Sequence, residues 1–256
     1  MLERGPSLAS RVIGSSVLRR RQLVARGLCR LLGRVQVTGL DLVPDTGPVI
    51  LAVNHTSLMD GPLLFGLVDR PVSFLVKAEA FEPAAGLAGR ILRAAGQLPV
   101  RRYQIDPAPI RYCLALLRAG GVLGMFPEGS RGSGLVEQVR SGVGYFAIKT
   151  GAPVLPVAVI GSARMVRTPR RPPVRIRIGQ PIRFASAPGN PVSGLTGSPA
   201  GDSVGSPVNR QHWQAAAETV RLALAELVAE ARADLMAEAQ ADLMTGADLP
   251  PTTMKA

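Results

Sequence analysis

The chain has 256 residues and carries 30 Lys and Arg against 18 Asp and Glu, a net charge of +12. This length allows one sizeable hydrophobic core with appendages, and no apolar run approaches the roughly 18 residues that a membrane-spanning helix needs. The positive charge favours anionic lipid, a phosphorylated ligand or nucleic acid as a partner. We expect no nucleic acid, since the chain has three Tyr, one Trp and no recognisable binding motif.

Residues 1–35 predict a basic amphipathic helix. Apolar residues recur along one face (Val17, Val24, Leu28, Leu31 and Val35), and arginines fall on the opposite face (Arg19, Arg26 and Arg30). This pattern is typical of a helix that lies on an anionic membrane surface, so we expect a peripheral protein at the cytoplasmic face of the membrane. An ordinary helix packed on the core, or an Arg- and Ser-rich transit peptide, would show the same pattern.

Residues 36–184 alternate between strand-like and helix-like patterns. The strand candidates are residues 49–53, 72–76, 97–100, 122–126, 154–160 and 174–178, and the helix candidates are residues 58–68, 84–95, 108–119 and 138–150. Strands separated by helix-length segments predict an α/β domain with a mostly parallel sheet flanked by helices.

The strand at residues 49–53 runs directly into a short polar segment that contains His55 and Asp60. On one continuous helix, positions five apart diverge by about 140°, so His55 must precede the first helical turn and Asp60 must reach back to it. The pair then forms a general base and the carboxylate that orients it. A capping histidine beside an unrelated aspartate is the alternative.

The strand at residues 122–126 also ends in a polar loop, which contains Glu128, Gly129, Ser130 and Arg131. Glycine lets a backbone approach a ligand closely, and arginine offers a planar fork that suits phosphate. A buried strand followed by a polar loop therefore occurs twice, which favours the functional interpretation of His55 and Asp60.

The C-terminal part of the chain differs in composition from the α/β domain. Residues 185–208 are rich in Pro, Gly and Ser, which predicts a linker. Residues 209–256 form a C-terminal tail. Its Ala-rich part, about 209–246, predicts a helix and has more acidic than basic residues. This tail could fold back on the basic body of the protein or remain solvated.

Four blocks, in order, resemble the glycerolipid acyltransferase family, and its 1-acylglycerol-3-phosphate acyltransferases in particular. They are an H-x-x-x-x-D block at His55 and Asp60, a G-x-x-P-V-x-R-like block from Gly96 to Arg102, an F-P-E-G-[ST]-R block at residues 126–131, and an apolar-Pro-apolar strand around Pro156. The resemblance covers roughly residues 36–183.

The resemblance implies transfer of a fatty acyl group from acyl-CoA or acyl carrier protein to the free hydroxyl of 1-acyl-glycerol-3-phosphate (lysophosphatidic acid), giving phosphatidic acid. In this reaction His55 removes the hydroxyl proton and Asp60 orients the imidazole. The backbone amides of residues 54–57 are expected to stabilise the oxyanion. No cofactor or metal is expected.

The resemblance also implies a set of substrate-binding residues. Arg102 and Arg131 are expected to bind the glycerol phosphate through bidentate hydrogen bonds. Glu128 is expected either to contact the acceptor or to hold Arg131. Gly129 and Ser130 complete the binding loop, Ser130 as a turn residue rather than a nucleophile.

Two other functions fit the same residues. The protein could acylate another lipid or alcohol acceptor, or it could be a non-catalytic peripheral lipid-binding protein on the same scaffold. The second is disfavoured by four intact residues: His55, Asp60, Glu128 and Arg131. Cys29 and Cys113 both have apolar neighbours, which is typical of core thiols rather than nucleophiles. Two histidines and two scattered cysteines do not predict a zinc site.

Overall fold

The computed structural model describes residues 16–82, 86–101, 107–165, 167–168, 171–185 and 207–245. In these ranges seven strands form one sheet: Arg34–Thr38 (β1), Val49–Val53 (β2), Val72–Lys77 (β3), Leu98–Val100 (β4), Val122–Met125 (β5), Val154–Ile160 (β6) and Pro173–Ile178 (β7). The helices in the same ranges are Ser16–Leu32 (α1), Asp60–Leu67 (α2), Gly86–Ala94 (α3), Pro107–Arg118 (α4), Gly142–Thr150 (α5) and Pro207–Thr245 (α6).

The strand order in the sheet is β1-β7-β6-β2-β5-β3-β4. Neighbouring strands are parallel except for β6 and β7, which are antiparallel. All five residues of β2 are buried, as expected for a central strand that has parallel neighbours on both sides and helices on both faces of the sheet. The predicted α/β fold, a mostly parallel sheet flanked by helices, is confirmed.

Alternate side chains of β2 enter two different hydrophobic cores. Ile50 packs in the core that α4, α5 and α6 cover. Leu51 packs in the core on the opposite face, which α1 and α2 cover. The sheet is therefore covered on both faces, and only its edges and the loops beyond its strands remain open to a ligand.

Two sequence predictions about element boundaries are wrong. Val35 does not continue the apolar face of the N-terminal helix, because α1 ends at Leu32 and Val35 pairs with Val174 in the sheet. Helix α5 begins at Gly142 rather than at residue 138, because the backbone N–H of Arg140 donates to the carbonyl of Pro127 (2.9 Å). Residues 138–141 therefore belong to the loop after β5.

Polar side chains attach helix α1 to the end of α2. Gln22 donates to three backbone carbonyls at and beyond the C-terminal end of α2, and Arg26 donates to two near the same end, where helix carbonyls lack intrahelical partners. The predicted apolar face points away from the sheet, with Val24, Leu28 and Leu31 exposed by 73%, 52% and 67%. No helix in the described ranges is long and apolar enough to cross a bilayer.

Helix α6 folds back over the sheet, as the first alternative for the tail expected. Its buried residues recur along one face: Trp213, Ala216, Ala217, Val220, Leu224, Val228 and Ala231. The contact with α5 is so close that a Cβ atom at Gly144 would overlap the carbonyl of Trp213. Residues 186–206, most of the predicted linker, lie outside the described residues.

Ion pairs join the polar side of α6 to β7. Arg177 pairs with Glu230 (2.7 Å) and Asp234 (2.8 Å), and Arg175 pairs with Glu238. The acidic residues of the tail thus meet the arginines that alternate along β7.

Candidate active site

Three adjacent parallel strands end beside one another at one edge of the sheet. β2 lies between β6 and β5 and is parallel to both, so the residues that follow these strands share that edge. His55 follows β2, Glu128 follows β5 and Ser162 follows β6. Ligands of parallel α/β sheets bind at the carboxyl ends of the strands, which makes this edge the candidate site.

His55 and Asp60 meet as the sequence predicted. His55 precedes α2, Asp60 is the first residue of that helix, and Nδ1 of the imidazole lies 3.0 Å from Oδ2 of the carboxylate. The Asp60 side chain is fully buried, whereas that of His55 is 17% exposed. When Nδ1–H donates to Asp60, a neutral imidazole presents Nε2 as the proton acceptor. The pair can therefore act as a general base with its orienting carboxylate.

Asp60 accepts three further hydrogen bonds. The backbone N–H groups of Thr56 and Ser57 donate to Oδ2 (both 2.8 Å), and the hydroxyl of Ser162 donates to Oδ1 (2.5 Å). Its position in the first turn of α2 adds the favourable field of the helix N-terminus. These contacts compensate the loss of hydration that a buried carboxylate suffers.

Ser162 is a site residue that the sequence reasoning missed. It is fully buried, it lies in the short 3-10 turn Ser162–Arg164, and it is 102 positions from Asp60 in the chain. The one available signal was that it closely follows a predicted strand. Ser162 reaches Asp60 only because β6 lies beside β2 in the sheet, and the strand order could not be predicted from the sequence.

Aromatic stacking fixes the imidazole from the side. The rings of His55 and Phe126 are stacked with centroids 3.9 Å apart, and Phe126 stacks in turn on Phe74 at 5.2 Å. Phe126 belongs to the F-P-E-G-S-R segment. The loop after β5 therefore helps to orient the imidazole of His55, in addition to lying at the edge of the sheet where a ligand would bind.

Glu128 contacts the backbone of His55. Its Oε1 accepts the backbone N–H of His55 (2.9 Å). Burial raises the pKa of the Glu128 carboxyl above its ordinary value of 4.5, although the hydrogen bond from His55 opposes that shift. One role of Glu128 is therefore to position the backbone of His55, and its expected contact with the acceptor or with Arg131 stays a prediction.

The backbone amides of residues 54–57 are already engaged. Asn54 donates to the carbonyl of Val157, His55 donates to Glu128, and the next two amides donate to Asp60. The prediction that these amides stabilise an oxyanion is wrong, because none of them is available to a ligand. They hold the turn that carries His55.

The remaining predicted binding residues lie in or beyond the loop after β5. Gly129 has a φ of 77°, and a Cβ atom there would overlap the side chain of Arg140, so the turn itself requires glycine. Ser130 and Arg131 are exposed. The N–H of the next residue, Gly132, donates to the carbonyl of His55 (3.0 Å), which sets Arg131 beside the base. Arg102 lies outside the described residues.

Neither cysteine has the properties of a nucleophile. Both are buried free thiols. Burial raises the pKa of Cys29 to about 11 and that of Cys113 to about 12. Both side chains therefore stay protonated near neutral pH and act as small core residues.

The fold and the site together define a class of α/β proteins. In this chain a histidine and a buried aspartate lie at the carboxyl edge of a mostly parallel sheet, beside an F-P-E-G-S-R loop. Residues 34–160 match the family model described as Acyltransferase. The chain belongs to the glycerolipid acyltransferase family.

Relatives of known name agree with this assignment. The chain is 27% identical over 156 residues to the 1-acyl-sn-glycerol-3-phosphate acyltransferase of Bacillus subtilis. The alignment covers 60% of this chain and 77% of that protein. It is also 28% identical over 142 residues to a chloroplastic 1-acyl-sn-glycerol-3-phosphate acyltransferase of Brassica napus. That alignment covers 53% of this chain and 40% of the plant protein. The chain thus spans about two fifths of the length of that plant relative.

A solved structure has the same fold. The crystal structure of the 1-acyl-sn-glycerophosphate (LPA) acyltransferase from Thermotoga maritima superposes with a TM-score of 0.53 at 26% sequence identity. The match covers 82% of this chain and 79% of that protein.

Proposed function

We propose that the protein transfers a fatty acyl group from an acyl thioester to the free hydroxyl of 1-acyl-glycerol-3-phosphate, giving phosphatidic acid. The observation that carries this proposal is the His55–Asp60 pair at the carboxyl edge of the sheet, where Nε2 is left to accept a proton. The names of the relatives from Bacillus subtilis and Thermotoga maritima support the choice of acceptor.

The proposed chemistry needs one base and no covalent enzyme intermediate. Nε2 of His55 removes the proton of the acceptor hydroxyl as its oxygen attacks the thioester carbonyl carbon, and Asp60 stabilises the imidazolium that forms. The C–S bond then breaks and the thiolate leaves, taking a proton from the imidazolium. Departure is easy, because a thiol has an unperturbed pKa of about 8.5.

Arg131 is the proposed anchor for the acceptor phosphate. It is exposed, it lies one residue from the Gly132 contact with His55, and a guanidinium can hold a phosphate through two parallel hydrogen bonds. Holding the acceptor in one pose near Nε2 raises the rate by orientation. Arg102 remains a second proposed phosphate ligand.

The function is tested by release of free thiol from a long-chain acyl-CoA, with and without lysophosphatidic acid. We expect acceptor-dependent release that His55→Ala abolishes. Acyl carrier protein as the donor, and other lysophospholipids or alcohols as acceptors, form parallel arms of the same assay. Activity only with another acceptor would correct the substrate. No release in any arm would contradict the proposal and favour the non-catalytic lipid-binding alternative.

The proposal includes peripheral binding to an anionic membrane at its cytoplasmic face. The outward apolar face of α1 supports it: Val24, Leu28 and Leu31 are exposed, and so are the neighbouring Arg20 and Arg30. Apolar side chains flanked by arginines suit an interface with anionic headgroups. The two free, buried thiols agree with a reducing compartment.

Helix α3 extends the apolar surface beside α1. Arg21 donates to the carbonyl of Ala94 at the end of α3, and Leu87 and Ile91 of α3 are 71% and 57% exposed. Co-sedimentation with phosphatidylglycerol vesicles tests the membrane proposal, with phosphatidylcholine vesicles for comparison. A Val24→Ser, Leu28→Ser double variant should lose binding, whereas Leu222→Ser, which alters an exposed leucine of α6, should retain it. Equal binding by both variants would rule out α1 as the binding surface.

A further inference from the structure

The loop between β5 and α5, residues 126–141, is attached to the base on one side. Its Glu128 accepts the backbone N–H of His55, and its Gly132 donates to the carbonyl of the same residue. Farther along, Gly134 has a φ of 69° and sits so close to Thr56 that an added Cβ atom would overlap the Thr56 methyl group. The loop is therefore packed directly on the turn that carries the base.

On its other side, the same loop is held by α6. Nη2 of Arg232 donates to the carbonyl of Ser133 (2.6 Å), and Nη1 of Arg221 donates to the carbonyl of Val136 (3.3 Å). Arg232 also lies against the backbone of Gly134, because a Cβ atom at that glycine would be 3.6 Å from Nη2. Two arginines of one helix thus bind two carbonyls of the loop.

Val136 indicates that the shape of this loop is imposed from outside. Its φ is 56°, in the left-handed region that a β-branched residue strongly disfavours. The residue is nevertheless fully buried, in a cluster with Leu224, Val228 and Ala231 of α6. Burial of the valine side chain by α6 stabilises a backbone conformation that the loop would not keep by itself.

We propose that Arg232 is a positioning residue. Through the carbonyl of Ser133 it holds the loop of residues 126–141 in the conformation that keeps Arg131 beside His55. The inference rests on the proposed function for its catalytic consequence. Its structural part, a loop held by α6, does not depend on which substrate the protein uses.

The ion pairs between α6 and β7 supply a matched control. Glu238 anchors the same helix to Arg175, but it touches the sheet rather than the loop. Glu238→Gln therefore weakens the attachment of α6 without changing any contact of the loop. The amide oxygen of glutamine can still accept from Arg175, and the Glu238 side chain is 34% exposed, so this variant should fold.

The experiment compares Arg232→Ala, Arg232→Lys and Glu238→Gln with the wild-type protein. We expect Arg232→Ala to raise the acceptor KM about tenfold, the factor that corresponds to about 1.4 kcal/mol, with a smaller change in kcat. Lysine can still donate one hydrogen bond to Ser133, so Arg232→Lys should restore most of the affinity. Glu238→Gln should match the wild type.

Amide hydrogen exchange supplies a readout without substrate. Arg232→Ala should speed exchange in peptides that cover residues 126–141, while exchange in α6 and the melting temperature stay near wild-type values. Unchanged exchange in the loop, or an equal change in Glu238→Gln, would overturn the inference. If the wild-type protein releases no thiol, the proposed function fails, and the exchange data alone decide whether Arg232 holds the loop.

Discussion

The turn after β2 and the loop after β5 meet at the same edge of the sheet, yet different contacts hold them. In the turn, each backbone amide of residues 54–57 has a partner, and the buried Asp60 collects four donors. In the loop, Ser130 and Arg131 are exposed, and the strained Val136 keeps its conformation through burial against α6.

This difference matches two demands of the proposed reaction. A base must stay in one place to accept a proton within hydrogen-bond distance, and a buried, fully bonded turn provides such a place. An acceptor-binding arginine must remain open to a soluble or membrane-bound ligand, so it lies on an exposed loop. We therefore expect changes in the turn to lower kcat and changes in the loop to raise the acceptor KM.

The largest effect is expected in the turn itself. His55→Ala should lower kcat by about 10²- to 10⁴-fold, because it removes the general base. Asp60→Asn should also lower kcat strongly while the protein stays folded, since an amide oxygen can still accept from Thr56 and Ser57. Turnover and melting temperature would be measured together. A fully active Asp60→Asn protein would contradict the base-orienting role of Asp60.

Ser162→Ala should have the next largest effect, again on kcat. It removes a buried hydroxyl that donates to the Asp60 carboxylate, and a hydrogen bond to a charged group is worth about 1.5–3 kcal/mol, or about 10- to 100-fold in rate. Ser162→Thr keeps the hydroxyl and should recover much of the activity. Ser73→Ala is the matched control, because the buried Ser73 hydroxyl has no hydrogen-bond partner among the described residues. An unchanged kcat in Ser162→Ala would show that Asp60 needs no donor from the turn after β6.

Arg131→Ala should change the acceptor KM more than kcat. We expect an increase of about tenfold, because a charge-assisted hydrogen bond to phosphate is lost from an exposed site. Arg118→Ala removes the same charge from the exposed end of α4, which precedes β5 and so lies toward the opposite edge of the sheet, and its kinetics should be those of the wild type. A fall in kcat without a change in KM would mean that the loop shares the role of the turn.

Glu128→Gln should change the kinetics least of these variants. Its main effect should be on how the free energy of unfolding depends on pH. Burial raises the pKa of the carboxyl above 4.5 in the folded protein, so this group favours folding most below its ordinary pKa and loses that contribution as pH rises through the raised value. The Gln side chain keeps an acceptor for the His55 N–H without the charge.

Denaturant unfolding of wild type and Glu128→Gln over a range of pH checks this expectation. The free energy of unfolding of the wild type, relative to the variant, should fall as pH rises. Glu226→Gln, at an exposed position on α6, should show no such trend. If the free energy of unfolding of the wild type, relative to the variant, rose with pH instead, hydrogen bonding rather than burial would dominate the pKa of Glu128.

Much of the fold and part of the site could be predicted from the sequence. Buried parallel strands are continuous runs of apolar residues, so β2, β5 and β6 stand out, and His55 and Asp60 follow one of them at a spacing that allows contact. β1 was missed, because its five residues alternate between exposed and half-buried and its arginine fits the basic helix before it equally well. The hydrogen bonds of the Asn54 and His55 amides were missed because their acceptors, on Val157 and Glu128, are distant in the chain.

The sequence by itself determined which residues share a face, because the periods of helices and strands are local properties of the backbone. It determined the apolar stripe of α1, the alternation of β7 and the spacing that lets His55 and Asp60 meet. Only the tertiary structure decided that the stripe of α1 points away from the sheet, that α6 packs on the loop after β5, and that Ser162 reaches Asp60. These arrangements depend on strand order and on contacts between distant segments, which no local period contains.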